Sequence, residues 1–294
     1  MTTDLTCQAH VSREPCTGGQ IESVRVEAPR AGEVRVKVAA AGVCHSDLHM
    51  VDGHLSQDDF PLVLGHEGAG VVEAIGDGVV DWAVGDRVAF CFVRDVHAVP
   101  GRTGESLRTG PARVLRKRAY RRHEPHARYA GGQLKQFLTI GRFGEYAVVP
   151  EQGLVRLPDG LGLWQAALIG CAVVTGVGAV RNAAGVAHGD SVRVVGCGGV
   201  GPQVIEGSHA ALPALEFLTA EKSVRGSFYG SGRPRREIAQ LAGLAEDGTL
   251  DIGRSISHRT NLAGLEAALQ PMREGVGSMT VLILDPGLAG AEPA

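Results

Sequence analysis

Alternating hydrophobic and polar positions dominate the N-terminal part of the chain. Ile21–Glu27 alternates, and so does Glu33–Ala39, with a proline and a glycine between the two stretches. Such a period of two predicts short antiparallel strands. Stretches 70–75 and 86–92 repeat the pattern and are separated by glycine-containing turns. Several short strands at this spacing predict a small β-barrel or sandwich.

The second half of the chain mixes helical and strand patterns. Residues 165–181 are apolar and rich in small side chains, which favours a helix, and Ser191–Val195 is typical of a short buried strand. The C-terminal part predicts alternating elements: helix 236–245, strand 255–259, helix 262–272 and strand 279–284.

A glycine-rich turn follows the buried strand directly. It reads Gly196-x-Gly198-Gly199-Val200-Gly201, and Pro202 can stand in the first turn of a following helix. Between a buried strand and a helix, this spacing predicts a dinucleotide-binding turn whose backbone approaches the pyrophosphate. The alternative is a tight turn with a purely structural role.

Residues 94–135 interrupt these patterns. They contain eleven Lys or Arg against three Asp or Glu, without apolar periodicity, in a chain whose formal net charge is −3. One interpretation is a loop that binds nucleic acid or phosphate, and the other is a solvated or disordered insertion. The acidic balance of the whole chain argues against a general nucleic-acid binder.

Length and composition allow two domains. The 294 residues include 44% apolar residues, enough for two cores. The start of the chain shows no basic segment followed by an apolar run, and no stretch of eighteen apolar residues occurs. Six cysteines without a small-domain disulfide pattern are typical of a reduced, cytoplasmic protein. We therefore expect a cytoplasmic protein without a membrane partner.

The first candidate chemistry lies in residues 41–76. Cys44 and His66 are 22 positions apart, and both are set among glycines, which predicts a metal held between loops. Thiolate and imidazole ligands suit Zn²⁺, and three protein ligands leave a coordination position open for chemistry.

Several motifs together resemble those of the zinc-dependent medium-chain alcohol dehydrogenases. They are Gly-Val-Cys44-His-Ser-Asp, Gly65-His66-Glu67-x-x-Gly70-x5-Gly76, Gly85-Asp-Arg-Val88, Leu168-Ile-Gly-Cys171-x3-Thr175-Gly176 and the glycine-rich turn. The resemblance implies an α/β fold: a GroES-like β-barrel catalytic domain over 1–160 and 233–294, and a Rossmann nucleotide-binding domain over 161–232. It also implies that the chain is an oxidoreductase.

The resemblance also assigns roles to individual residues. It implies catalytic zinc ligands at Cys44, His66 and Cys171, with Glu67 able to approach the metal. Ser46 and His49 match the proton relay of the family, Asp47 would orient His66, and His45 would face the cofactor pyrophosphate. The glycine-rich turn, Gly196, Gly198, Gly199, Val200 and Gly201, would bind NAD or NADP.

Two regions depart from the family pattern. Members usually carry four cysteines for a structural zinc where this chain has the basic stretch, and only Cys91 is near, so we expect no second zinc. A shifted codon frame could recreate three of those cysteines, so we hypothesise that 94–135 is read out of frame. After Ala211 the chain resembles the last strand of the nucleotide domain, so on the order of 80 residues of βαβ units are predicted to be deleted.

The leading functional hypothesis is zinc-dependent oxidation of an alcohol to an aldehyde or ketone, with hydride transfer to NAD(P). The alternative is a non-catalytic zinc-binding remnant that cannot hold the dinucleotide. The expected partner is a small alcohol or aldehyde rather than nucleic acid. Association into a homo-oligomer is left open, because the family's dimer edge would lie in the deleted strands.

Overall fold

A computed structural model describes residues 2–55, 60–92, 134–192 and 226–293. Its strands are β1 Leu5–Ser12, β2 Gly19–Val26, β3 Glu33–Val43, β4 Leu62–Val63, β5 Glu67–Ile75, β6 Arg87–Phe90, β7 Lys135–Gln136, β8 Tyr146–Pro150, β9 Leu154–Arg156, β10 Ile256–Thr260 and β11 Met279–Ile283. Its helices are α1 His45–Val51, α2 Leu163–Ala166, α3 Val174–Gly178, α4 Pro234–Glu246, α5 Leu265–Arg273 and α6 Pro286–Ala289.

Strand β3 is the centre of the larger sheet. In the part of the chain that is described, this sheet has seven strands in the order β10-β11-β3-β5-β6-β9, with β8 also paired to β3. The C-terminal strand β11 runs antiparallel to the end of β3, where Thr280 faces Val43. Sequence-distant segments therefore meet beside Cys44, which directly follows β3.

The described residues also form a smaller sheet of four strands. Its order over the described residues is β2-β1-β4-β7, and β1 pairs with β2 along its whole length. Buried apolar residues of the sheets and helices form three hydrophobic clusters among the described residues. The alternation of buried and exposed residues predicted for strands β2 and β5 is present, whereas β3 is buried along almost its whole length because it lies in the middle of the larger sheet.

Most predicted elements are confirmed with shifted ends. The helical stretch 165–181 is built from α2, a π-type turn Ile169–Val173, α3 and a second π-type turn Ala179–Ala184. The C-terminal order of helix, strand, helix and strand matches α4, β10, α5 and β11. Sequence alternation did not reveal β1.

The two candidate ligands in residues 41–76 lie between regular elements, as predicted. Cys44 stands between β3 and α1 as the N-cap residue of that helix, and His66 directly precedes β5. The helix forms because Asp47, at the third helical position, accepts a hydrogen bond from the Cys44 N–H through Oδ2 at 3.1 Å. A carboxylate in the first turn satisfies a free backbone donor and suits the helix dipole.

Three predictions fall wholly or largely outside the described residues. They are the basic stretch up to residue 133, the strand beyond Val192 with the glycine-rich turn 196–201, and the predicted junction near Ala211. The division into two domains stays a prediction. No helix among the described residues is long and apolar enough to cross a membrane.

Candidate metal centre

Three buried side chains from distant parts of the chain converge on one point. The Sγ atoms of Cys44 and Cys171 and a ring nitrogen of His66 all lie within 4.8 Å of one another. Each residue is at most 6% exposed. Among the described residues, this is the one group of three or more His, Cys, Asp or Glu side chains with such convergence.

Each of the three residues is placed by a different element. Cys44 caps α1, His66 directly precedes β5, and Cys171 lies in the middle of the π-type turn Ile169–Val173. Cys171 and His66 are separated by 105 positions, yet Cys171 Sγ lies 3.3 Å from His66 Nε2. The sheet and the turn thus bring the residues together, as predicted from the motifs.

The donor set fits a zinc ion. Zn–S bonds of about 2.3 Å and Zn–N bonds of about 2.0–2.1 Å in a tetrahedral site would separate sulfur from nitrogen by about 3.6 Å. The observed separation of 3.3 Å is close to that value. Two thiolates and one imidazole in a buried site are the ligand set of an open catalytic zinc centre rather than of a closed four-ligand one.

Asp47 fixes the orientation of the His66 ring. Its Oδ1 lies 3.3 Å from His66 Nδ1 and also accepts a hydrogen bond from the Gly65 N–H at 2.9 Å. Nε2 is thereby directed at the thiols. A carboxylate behind a ligating histidine is the arrangement that sets the tautomer and raises the basicity of the ligand.

The electrostatics of the group favour one negative charge on the sulfur pair. A hydrogen bond from the Cys171 thiol, helped by His66, holds the pKa of Cys44 well below its usual value. The same hydrogen bond, together with burial, raises the pKa of Cys171. Burial lowers the pKa of His66, but Asp47 and Cys44 outweigh it, so that this pKa lies well above its usual value. The negative charge on Cys44, with that of Asp47 beside it, therefore favours the binding of a cation between the three residues.

Phenyl rings enclose the imidazole. Phe92 and Phe137 each lie 5.5 Å from the His66 ring in edge-on geometry. Tyr229 in turn lies against Phe92, with ring centroids 4.2 Å apart. No motif or spacing in the sequence marks these aromatic neighbours of His66.

Glu67 is not one of the three converging ligands. Its carboxylate is buried, and Oε2 accepts a hydrogen bond from the Ala172 N–H at 3.1 Å. Burial and the proximity of Cys44 raise the pKa of Glu67 well above its usual value. In this structure Glu67 joins the segment that carries His66 to the turn that carries Cys171.

The predicted relay and cofactor residues lie along α1. Ser46 is half-buried, and its Oγ lies 3.8 Å from Cys44 Sγ. His49 is half-buried one turn further on, and His45 is exposed. The His49 ring lies 6.2 Å from that of His45 and 5.6 Å from that of His54. The five residues predicted in the glycine-rich turn lie outside the described residues.

The fold and the Cys-His-Cys centre together define a zinc-type medium-chain dehydrogenase. Residues 30–159 match the alcohol dehydrogenase GroES-like domain. Over 290 residues the chain is 36% identical to alcohol dehydrogenase class-3 from Zea mays, covering 95% of this chain and 76% of that relative. The chain belongs to the zinc-type medium-chain alcohol dehydrogenase family, whose members are enzymes.

Solved structures share the fold. An alcohol dehydrogenase zinc-binding domain protein from Burkholderia ambifaria superposes with a TM-score of 0.82 at 23% identity, over 96% of this chain and 100% of that one. An acetophenone reductase from Geotrichum candidum, solved in complex with NAD, superposes with a TM-score of 0.71 at 19% identity, over 95% and 97% of the two chains.

Proposed function

We propose that this protein oxidises an alcohol to an aldehyde or ketone, with zinc at the Cys44–His66–Cys171 centre and NAD or NADP as hydride acceptor. The convergence of those three ligand atoms within 4.8 Å is the observation that carries the proposal. Membership of an alcohol dehydrogenase family supports the reaction class, and the NAD complex of a structural neighbour supports the cofactor.

Bound zinc polarises the oxygen of an alcohol and lowers its pKa. Cys44, His66 and Cys171 would hold the ion, and Asp47 keeps the imidazole directed at it. The burial of all three residues excludes bulk water from their side of the ion. A buried site strengthens each of these electrostatic interactions.

The proton of the alcohol needs a route to solvent, and α1 supplies one. The Ser46 hydroxyl lies next to the Cys44 sulfur. His49 follows three residues later, which places it on the same helix face. Burial, followed by the charges of His45 and His54, lowers the pKa of His49, which keeps its ring neutral and able to accept a proton at neutral pH. We assign Ser46 and His49 to the transfer of this proton outward.

We assign the binding of the dinucleotide to His45 and to the glycine-rich turn 196–201. His45 is exposed at the start of this helix and could contact the pyrophosphate, as the family resemblance implies. The glycine-rich turn 196–201 would supply the backbone N–H groups for the phosphates. The absence of a second, structural zinc, the cytoplasmic location and the state of association stay predictions.

Two measurements on the purified protein test the proposal: its zinc content, and reduction of NAD⁺ or NADP⁺ with a panel of primary and secondary alcohols. We expect stoichiometric zinc and alcohol-dependent turnover. Cys171→Ser should remove both, whereas Cys16→Ser, at an exposed cysteine, should remove neither.

Wild-type protein without zinc would overturn the proposal. Zinc without turnover on any alcohol would instead establish the non-catalytic remnant, which no observation on the described residues favours. Neither outcome depends on the variants, so a folding defect in Cys171→Ser cannot obscure the result.

A further inference from the structure

Tyr229 reaches the turn that carries Cys171 from a distant part of the chain. It begins the short 3-10 turn Tyr229–Ser231, just before α4, and only 6% of its surface is exposed. Its hydroxyl donates a hydrogen bond to the Gly170 carbonyl and lies 3.7 Å from Cys91 Sγ. Its backbone has φ 51°, a left-handed conformation that costs energy in a residue with a side chain and that the surrounding contacts must stabilise.

The Cys171 turn is held by side chains on both flanks of the ligand. Tyr229 binds the carbonyl of the residue before Cys171, and Glu67 binds the N–H of the residue after it. A π-type turn is wider than an α-helix, and its own backbone hydrogen bonds are weaker. Its backbone groups are therefore suited to hydrogen bonds with side chains from other elements, such as Tyr229 and Glu67. The position of the Cys171 backbone is therefore set by tertiary contacts.

Close packing restricts the turn from a third side. A Cβ atom built at Gly170 would lie 2.3 Å from the carbonyl oxygen of Phe90 in β6. The backbone at this point is thus in direct contact with the strand. The contact with β6 and the hydrogen bond from Tyr229 both restrain Gly170, the residue before Cys171, whose Sγ lies 3.3 Å from His66 Nε2.

The Tyr229 ring also acts on the second ligand. It packs against Phe92, and Phe92 contacts the edge of the His66 ring. One side chain therefore contacts the surroundings of two ligands that belong to different elements.

We propose that Tyr229 is a positioning residue of the metal centre, which fixes Cys171 through the Gly170 carbonyl and supports His66 through Phe92. The inference rests on the proposed zinc site and deepens it. It assigns a role in metal retention to the segment that precedes α4, which the ligand motifs do not include.

Tyr229→Phe tests the inference because it removes the hydroxyl and keeps the ring. Tyr146→Phe is the matched control, at a half-buried tyrosine of β8. Outer partners of metal ligands typically contribute about 10–100-fold to metal affinity. We expect about tenfold weaker zinc binding for Tyr229→Phe in competition with a chromogenic chelator, and no change for Tyr146→Phe.

The cobalt-substituted protein gives a readout that a general loss of stability would not move. The ligand-field spectrum of Co²⁺ reports the geometry of the Cys-His-Cys site. We expect a shifted and broadened spectrum for Tyr229→Phe and a wild-type spectrum for Tyr146→Phe. Wild-type affinity together with a wild-type cobalt spectrum in folded Tyr229→Phe would overturn the inference.

Phe92→Leu provides a second perturbation if Tyr229→Phe does not fold. It removes the ring that packs against Tyr229 and should weaken zinc binding by a smaller factor than Tyr229→Phe. Unchanged zinc binding would overturn the inference. Failure of this inference can be distinguished from failure of the proposed function. If the wild-type protein binds no zinc, the zinc site itself is contradicted. Wild-type zinc binding that is insensitive to both substitutions defeats only the role of Tyr229.

Discussion

Asp47 Oδ1 lies 3.3 Å from His66 Nδ1, and both side chains are buried. The same carboxylate accepts hydrogen bonds from the backbone N–H groups of Cys44 and Gly65. Asp47 therefore links two of the three ligand-bearing segments while it orients the imidazole. A single buried carboxylate with three partners makes the ligand geometry depend on its charge.

Asp47→Asn should weaken zinc binding by about 10–100-fold, the range found for outer partners of ligating histidines. The amide keeps one acceptor oxygen, so that one of the partners near Cys44, Gly65 and His66 loses its hydrogen bond. Chelator competition measures the effect. Asp251→Asn is the control, because Asp251 pairs with Arg254 at the surface. Equal affinities for the two variants would contradict the role of Asp47.

His49→Gln should slow alcohol oxidation at neutral pH by about 100-fold, the lower end for a positioned acid–base group. The loss should shrink at alkaline pH, where hydroxide in solution can accept the proton instead. Steady-state rates across pH measure this. His188→Gln alters an exposed histidine that is not part of α1 and should leave the profile unchanged. A pH-independent loss would point to a structural role for His49.

Two glycine substitutions should change stability in opposite directions. Gly170→Ala forces a Cβ to within 2.3 Å of the Phe90 carbonyl oxygen, and overpacking of this kind costs about 1–3 kcal/mol. Gly243→Ala lies in the exposed part of α4, where an added Cβ meets nothing within 4 Å. It should raise the free energy of unfolding by about 0.5–1 kcal/mol. Urea denaturation measures both, and stabilisation by Gly170→Ala would contradict the packing.

The pair Lys37–Asp285 predicts a pH dependence. Lys37 Nζ lies 2.5 Å from Asp285 Oδ2, and this contact, followed by the hydrogen bond from the Leu288 N–H, lowers the pKa of Asp285 from its usual 3.8. A lowered carboxylate pKa contributes stability above pH 3.8, and that contribution is lost as the pH falls through the lowered value.

Asp285→Asn should therefore cost at most about 1 kcal/mol at neutral pH, as for other partly exposed pairs. Asparagine can still cap α6 through the bond to the Leu288 N–H, so only the charge is removed. The difference from wild type should vanish as the pH falls below 3.8. Urea titrations at neutral and acidic pH measure it, and a difference that persists in acid would show that the cap, not the charge, was lost.

The sequence alone determined the elements that depend on neighbouring residues. Alternation marked β2 and β5, helical and strand patterns marked α4 to β11, and the setting of Cys44 and His66 among glycines marked a metal site, to which the family resemblance added Cys171. These features are local, because a strand face or a ligand motif is written in a few consecutive residues. No local pattern shows that Asp47 contacts His66, so this pair was predicted only through the family resemblance.

The tertiary structure decided the relationships between distant segments. It brought Cys171 to His66, directed Glu67 to the Ala172 N–H, and brought Tyr229 to the Gly170 carbonyl. None of these follows from spacing, because 105 and 59 positions separate the last two pairs. The spacing of hydrophobic residues along the sequence specifies which face of a helix or strand is buried. The contacts between buried atoms depend instead on how the sheets, the turn and the helices pack together.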